Sequence, residues 1–195
     1  MPTWLFATLF YQAPARLGLD AYTANLRFSL LVLVFIGTCL VPGLLIFYLY
    51  RTGFLTDLAM PRRTDRRLPY WLTGGVYALV TYLFMFRLSL VSDTSPAVSI
   101  LLGSITVSIL LVGVINMTWK ISAHAVGVGG VLGAVAFLFL KHGDTDLFVP
   151  FVGLLALSGL VGTARLQLNA HTLSQVGAGL LLGTLVSGLT VIWLV

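Results

Sequence analysis

Six stretches of this chain, residues 26–50, 70–90, 97–118, 125–140, 147–165 and 171–194, consist mainly of apolar side chains. Most reach the roughly 20 residues that a helix needs to cross ~30 Å of hydrocarbon. In lipid, backbone N–H and C=O groups have no water to bond, so apolar runs of this length are confined to helices. Composition agrees: 9% of residues are charged and none is glutamate, where a soluble domain carries about a quarter charged residues. The sequence therefore predicts an all-α polytopic membrane helix bundle of about six full transmembrane helices, forming a single membrane domain over residues 1–195. The short 125–140 run is expected to extend backward through Ser122–His124. Residues Met1 to about Tyr11 are apolar but too short to cross. They read as a re-entrant or interfacial piece, or as the remnant of a longer segment, without the basic and small-residue flanks of a signal peptide. Cys39 lies alone in an apolar run and carries no information on redox compartment.

Alternating the six runs across the bilayer sorts the polar segments onto two faces. One face, X, receives residues 51–69, 119–124 and 165–171; the other, Y, receives the segments around Asp93–Pro96 and Lys141–Asp146. Face X collects Arg51, Arg62, Arg63, Arg66, Arg67, Lys120 and Arg165 against Asp57 and Asp65. Face Y holds Arg16, Arg27, Arg87 and Lys141 against Asp20, Asp93, Asp144 and Asp146. The positive-inside rule would place X in the cytoplasm. The same cations are those a phosphate site needs, so the charge bias is shared between the two explanations and assigns no orientation.

Two of the three X segments contain a histidine. His171 follows Arg165 by six residues and precedes Gln175 by four, so His171 and Gln175 share one helical face. The Gln175 carbonyl is placed to accept one ring N–H of His171 and fix its tautomer. The second histidine, His124, ends the stretch Lys120-Ile121-Ser122-Ala123-His124. A neutral imidazole attacks phosphorus to give a phosphohistidine, while a second histidine protonates the leaving oxygen and later activates water. Arginine and lysine neutralise the non-bridging oxygens, and a helix starting near His124 adds free N–H groups. No carboxylate cluster on X has metal-binding spacing, so the reading is metal-independent and without a cofactor. Ionisable groups in membrane segments tend to be functional. His142 falls on face Y and reads as an interfacial residue, and the arginines at 62–67 also suit a loop anchored to lipid headgroups.

These residues resemble the type-2 phosphatidic acid phosphatase superfamily, which includes the vanadium haloperoxidases and is marked by K-x6-R-P, P-S-G-H and S-R-x5-H-x3-D. The third signature is similar to Ala164-Arg165-x5-His171-x3-Gln175, and the second to Ile121-Ser122-Ala123-His124. The first is degenerate at Arg62-Arg63-Thr64-Asp65-Arg66-Arg67-Leu68-Pro69. The likeness covers residues 26–194 and points to a bacterial integral-membrane branch, in the cell (inner) membrane. It implies His171 as nucleophile and His124 as general acid. It also implies Arg165, Lys120, Ser122 and Arg66 as phosphate ligands, helped by Arg62, Arg63 or Arg67. The chain departs from the pattern at Gln175, where the family has aspartate, at Ala164 and Ala123, and in lacking the first lysine. In a serine-protease triad, loss of the analogous aspartate costs about 10⁴ in rate.

The expected function is hydrolysis of a lipid phosphate or polyprenyl pyrophosphate, with membrane lipids as partners and no nucleic acid. The alternative is a noncatalytic member that binds or moves anionic lipids. A prenyltransferase lacks its paired Asp-x3-Asp motifs here, and an intramembrane serine protease lacks its nucleophile turn. A transporter calls for polar groups at mid-span, where Asn116 is the one mild candidate. Glycines 129 and 133, and 179 and 183 with Ser187, have small-xxx-small spacing for close helix packing. Self-association into a homo-oligomer is left open.

Overall fold

A computed structural model describes residues 1–60 and 62–195. The described residues form α1 (Pro2–Gln12), α2 (Ala24–Phe35), α3 (Val41–Arg51), α4 (Arg67–Tyr82), α5 (Ser89–Thr94), α6 (Pro96–Ile115), α7 (Ala123–His142), α8 (Phe148–Gln167) and α9 (Leu173–Leu194). A π turn at Ile36–Leu40 joins α2 and α3 into one rod, Ala24–Arg51. Five helices are long and apolar enough to cross a membrane: that rod, α6, α7, α8 with its preceding turn, and α9. The chain is an integral membrane protein of all-α architecture. The sixth expected span, α4 with the π turn Leu83–Arg87, is not among the five. Tyr70, Thr73, Tyr77, Thr81 and Tyr82 dilute its apolar character. It packs against α6 and α3 nonetheless.

Hydrogen bonds link polar segments within each of the two expected faces. On Y, Arg16 pairs with Asp144 at 2.6 Å, the one salt bridge among the described residues. That hydrogen bond holds the Asp144 carboxyl below the usual carboxylate range. The Tyr22 hydroxyl donates to the Leu90 carbonyl at 2.6 Å, and Ser95 donates to the Gly18 carbonyl at 3.0 Å. On X, the Asn116 amide donates to the Arg63 carbonyl at 3.0 Å, and Arg66 donates to His171 at 3.2 Å. No hydrogen bond among the described residues joins one polar face to the other.

Helix α1 leads from the interior of the bundle to Y. Its eleven residues rise only ~17 Å. Leu5, Phe6, Leu9 and Phe10 are buried against α2 and α7, at the centre of the largest apolar cluster. The first turn of α1 reaches the interior beside Gly127 and His124. The core is densest in this Y half. Towards X only a small cluster around Val112, Ile121 and Val126 fills the bundle.

Two local devices make the bundle possible. The first is the π turn: Pro42 has no N–H for the Thr38 carbonyl one turn earlier, and the Tyr77 hydroxyl of α4 donates to that carbonyl at 2.8 Å. An orphaned carbonyl in lipid would otherwise be costly. The second is the α7–α9 seam, the most extensive helix pair in the molecule. A Cβ on Gly179 would stand 2.8 Å from the Ser122 carbonyl oxygen, and one on Gly183 would collide with the Val126 carbonyl. Gly129 and Gly133 face the α9 backbone in the same way, and the Thr184 hydroxyl donates to the Gly129 carbonyl at 3.0 Å. Substituting Gly183→Ala should therefore lower unfolding stability by about 1–3 kcal/mol. Gly159→Ala on α8 has open space around it and should be neutral or slightly stabilising. Thermal unfolding of the two variants in detergent checks the contrast.

Candidate functional site

The spacing between Arg165 and His171 is the geometry of a helix corner. Arg165 lies in the last turn of α8, and its carbonyl accepts the N–H groups of Ala170 at 3.1 Å and His171 at 3.4 Å. The chain turns through Asn169 at φ 49, a left-handed conformation that Asn tolerates better than most residues. Thr172 then caps α9, accepting from the Gln175 N–H at 3.4 Å, while Gln175 Oε1 accepts from the Thr172 N–H at 3.3 Å. This reciprocal pair is a capping box. It makes Gln175 a structural residue as well as a partner of His171.

His171 is held at both ring nitrogens. Its Nδ1–H donates to Gln175 Oε1 at 3.1 Å, leaving the lone pair on Nε2, to which Arg66 Nη1–H donates at 3.2 Å. Burial, more than any other cause, pushes the imidazole down to about 4. The Gln175 hydrogen bond opposes the shift, and the charges of Arg66, Lys120 and Arg165 reinforce it. Burial and the charge of Arg66 likewise lower Lys120. Three cations thus surround one neutral imidazole, with no carboxylate bonded to any of them among the described residues.

His124 stands in the first turn of α7, exposed to a cavity in the X half of the bundle, and the charges of Arg66 and Arg165 reach it as well. The Ser122 N–H donates to the Gln175 carbonyl at 3.4 Å, so the glycine seam sets the starts of α7 and α9 level on face X. Both helices present N-terminal N–H groups and the positive ends of their dipoles there. Among the described residues no three His, Cys, Asp or Glu side chains stand together as metal ligands.

The chain matches no protein-family model, no curated protein and no solved structure. The reading of the site therefore rests on its own geometry.

Of the ten residues singled out in the sequence, Arg66, Lys120, Arg165, His171 and Gln175 converge, with His124 beside them. Ser122 is fully buried, and its hydroxyl caps α7 by accepting the Ala125 N–H at 3.4 Å. Arg63 takes part through its carbonyl, bonded by Asn116. Arg62 and Arg67 are exposed and make no side-chain hydrogen bond among the described residues. Asn116 is not at mid-span: it follows the last turn of α6, is fully buried, and ties the arginine loop to the bundle. Arg66 is further fixed by donating Nε–H to the Met60 carbonyl at 2.8 Å. Thr172 and Asn169 escaped sequence reading, although Thr172-x-x-Gln175 fits the capping-box pattern.

Titrated by ¹⁵N NMR in detergent, the His171 ring should stay neutral down to a pH of about 4. Arg66→Gln should move that midpoint upward by removing a neighbouring cation. The unfolded chain takes up this proton near pH 6.5 and the folded chain near 4. Stability contributed by His171 is therefore present above about 6.5 and is lost as pH falls towards 4. At the corner, Asn169→Val should cost about 1–2 kcal/mol while Asn169→Gly leaves stability nearly unchanged, as read by thermal unfolding.

Proposed function

We propose that the protein is a metal-independent membrane phosphatase acting on a lipid phosphate or polyprenyl pyrophosphate, in the manner of the type-2 phosphatidic acid phosphatases that its motifs resemble. The observation that carries this reading is the double restraint of His171. Gln175 fixes the proton on Nδ1, so the lone pair lies on Nε2 among three cations. With its proton lost above a pH of about 4, this imidazole is a free base at neutral pH.

The reaction follows from that geometry. A bound phosphate draws the Arg66 guanidinium from Nε2 onto a non-bridging oxygen, with Arg165 and Lys120 sharing the remaining charge. Nε2 attacks phosphorus and the bond to the leaving oxygen breaks, as protonated His124 gives its proton to that oxygen. The product alcohol or lipid monophosphate departs. Neutral His124 then takes a proton from water, the hydroxide oxygen attacks phosphorus, the P–Nε2 bond breaks, and inorganic phosphate leaves. By the same resemblance the enzyme belongs to the inner membrane of a bacterium.

A second reading, a noncatalytic site that binds or moves anionic lipids, draws on one feature. Arg66 occupies Nε2, and Gln175 offers the histidine no negative charge. Phosphate release from phosphatidate, phosphatidylglycerophosphate and undecaprenyl pyrophosphate, measured in detergent, tests the two. A phosphatase loses release with His171→Ala. Gln175→Glu keeps the capping-box chemistry and supplies the missing carboxylate, so turnover should rise by about tenfold or more. Release no greater than that of His171→Ala on every substrate would overturn the enzymatic reading in favour of lipid binding.

A further inference from the structure

Beneath His124 lies a cavity of about 230 Å³, between the first turn of α1 and helices α4, α6, α7 and α9. It follows α7 from Ala123 to Val131, a depth of about 12 Å at 1.5 Å per residue. Its walls are mainly apolar, with Leu5, Ile109, Val112, Val126 and Val131 prominent. Two of its hydroxyls are already committed inside the protein: Tyr77 donates to the Thr38 carbonyl at 2.8 Å, and Ser108 to the Ser104 carbonyl at 2.9 Å. The rest of its polar lining comes from His124, the Ser187 hydroxyl and Met1, whose α-amino charge reaches His124.

The position of the cavity identifies its occupant. Its upper end is His124, which shares the charges of Arg66 and Arg165 with the phosphate site. Its lower end is closed by Leu5 of α1, where the dense Y-half core begins, while Met1 stands beside Gly127, one turn below His124. A molecule with a phosphate at His171 and a hydrocarbon chain attached would lead that chain past His124 into this space. We infer that the cavity receives the headgroup-proximal part of a lipid phosphate's hydrocarbon chain, and that the first turn of α1 sets how much of it enters. The inference rests on the phosphate-site reading for the headgroup. It adds that α1 is a gauge of the chain, with Leu5 as its stop.

The test uses phosphonates, whose C–P bond is not hydrolysed, so that labelling needs no turnover. The protein in phosphatidylcholine nanodiscs is photolysed with hexyl, decyl, hexadecyl and geranyl phosphonates carrying a diazirine at the chain end. Labelled residues are then located by mass spectrometry. The decyl probe should label Leu5, Val131 or their cavity neighbours, in competition with excess inorganic phosphate. The hexadecyl probe should label them less, and Leu5→Ala should restore it. Gly127→Leu projects into the cavity, where a Cβ would already stand 3.2 Å from Met1 Cγ, and should cut cavity labelling at least about fivefold. Stronger cavity labelling by geranyl than by decyl would identify an isoprenoid chain, and the reverse an acyl chain.

Labelling confined to outward-facing leucines such as Leu157 and Leu160 of α8, or independent of chain length, would overturn the inference. The length series in the unmodified protein decides the matter even if Gly127→Leu fails to fold. Cavity labelling without phosphate release would sink the phosphatase reading and leave this one standing. His171-dependent release with labelling only on α8 would do the opposite.

Discussion

Backbone contact between α7 and α9 is the constraint on which the rest of the structure depends. Lipid tails are as apolar as leucine, so helices in a bilayer gain little from hiding side chains and associate through close packing. Gly129, Gly133, Gly179 and Gly183 remove the side chains that would hold the two rods apart. Once the backbones touch, their register is fixed, and the Ser122 N–H meets the Gln175 carbonyl. Both helix starts then lie at one depth on one face. His124 and His171 lie at those starts, so the glycine seam also sets the two imidazoles on one face.

Around that seam the two polar faces solve opposite electrostatic problems. On Y, Arg16 and Asp144 neutralise one another, and Lys141 donates to the Val191 and Ile192 carbonyls at the end of α9. Those charges close the bundle. On X, Arg66, Lys120 and Arg165 are gathered with no bonded carboxylate among the described residues, and their mutual repulsion is held by backbone tethers at Met60 and, through Asn116, at Arg63. An anion placed among them would offset that repulsion. Gln175 sharpens the point: as a capping residue it needs only a carbonyl oxygen, and by remaining neutral it leaves the positive field undiminished.

The irregular backbone inside the membrane is satisfied locally. Pro42 would strand a carbonyl in hydrocarbon, and Tyr77 supplies the missing donor. Helix α1 fills the Y half of the bundle, and its first turn lines the cavity beneath His124.

Apolar run length, with no water in the bilayer to satisfy the backbone, was enough to determine an all-α membrane bundle from the residues alone. Alternation of those runs placed the cationic segments on one face, and the i, i+4 spacing of His171 and Gln175 placed their side chains together. Each of these depends on local period or on counting crossings. The tertiary structure decided what depends on contacts distant in the chain. It showed which of the arginines reaches His171, that Ser122 is spent on a cap, that Asn116 tethers a loop rather than lining a path, and that α1 packs inside the bundle. Arg66 and Arg67 are neighbours in sequence with the same charge. Only Arg66 has the Met60 carbonyl and His171 Nε2 within reach, because only folding sets the direction in which each side chain leaves the loop.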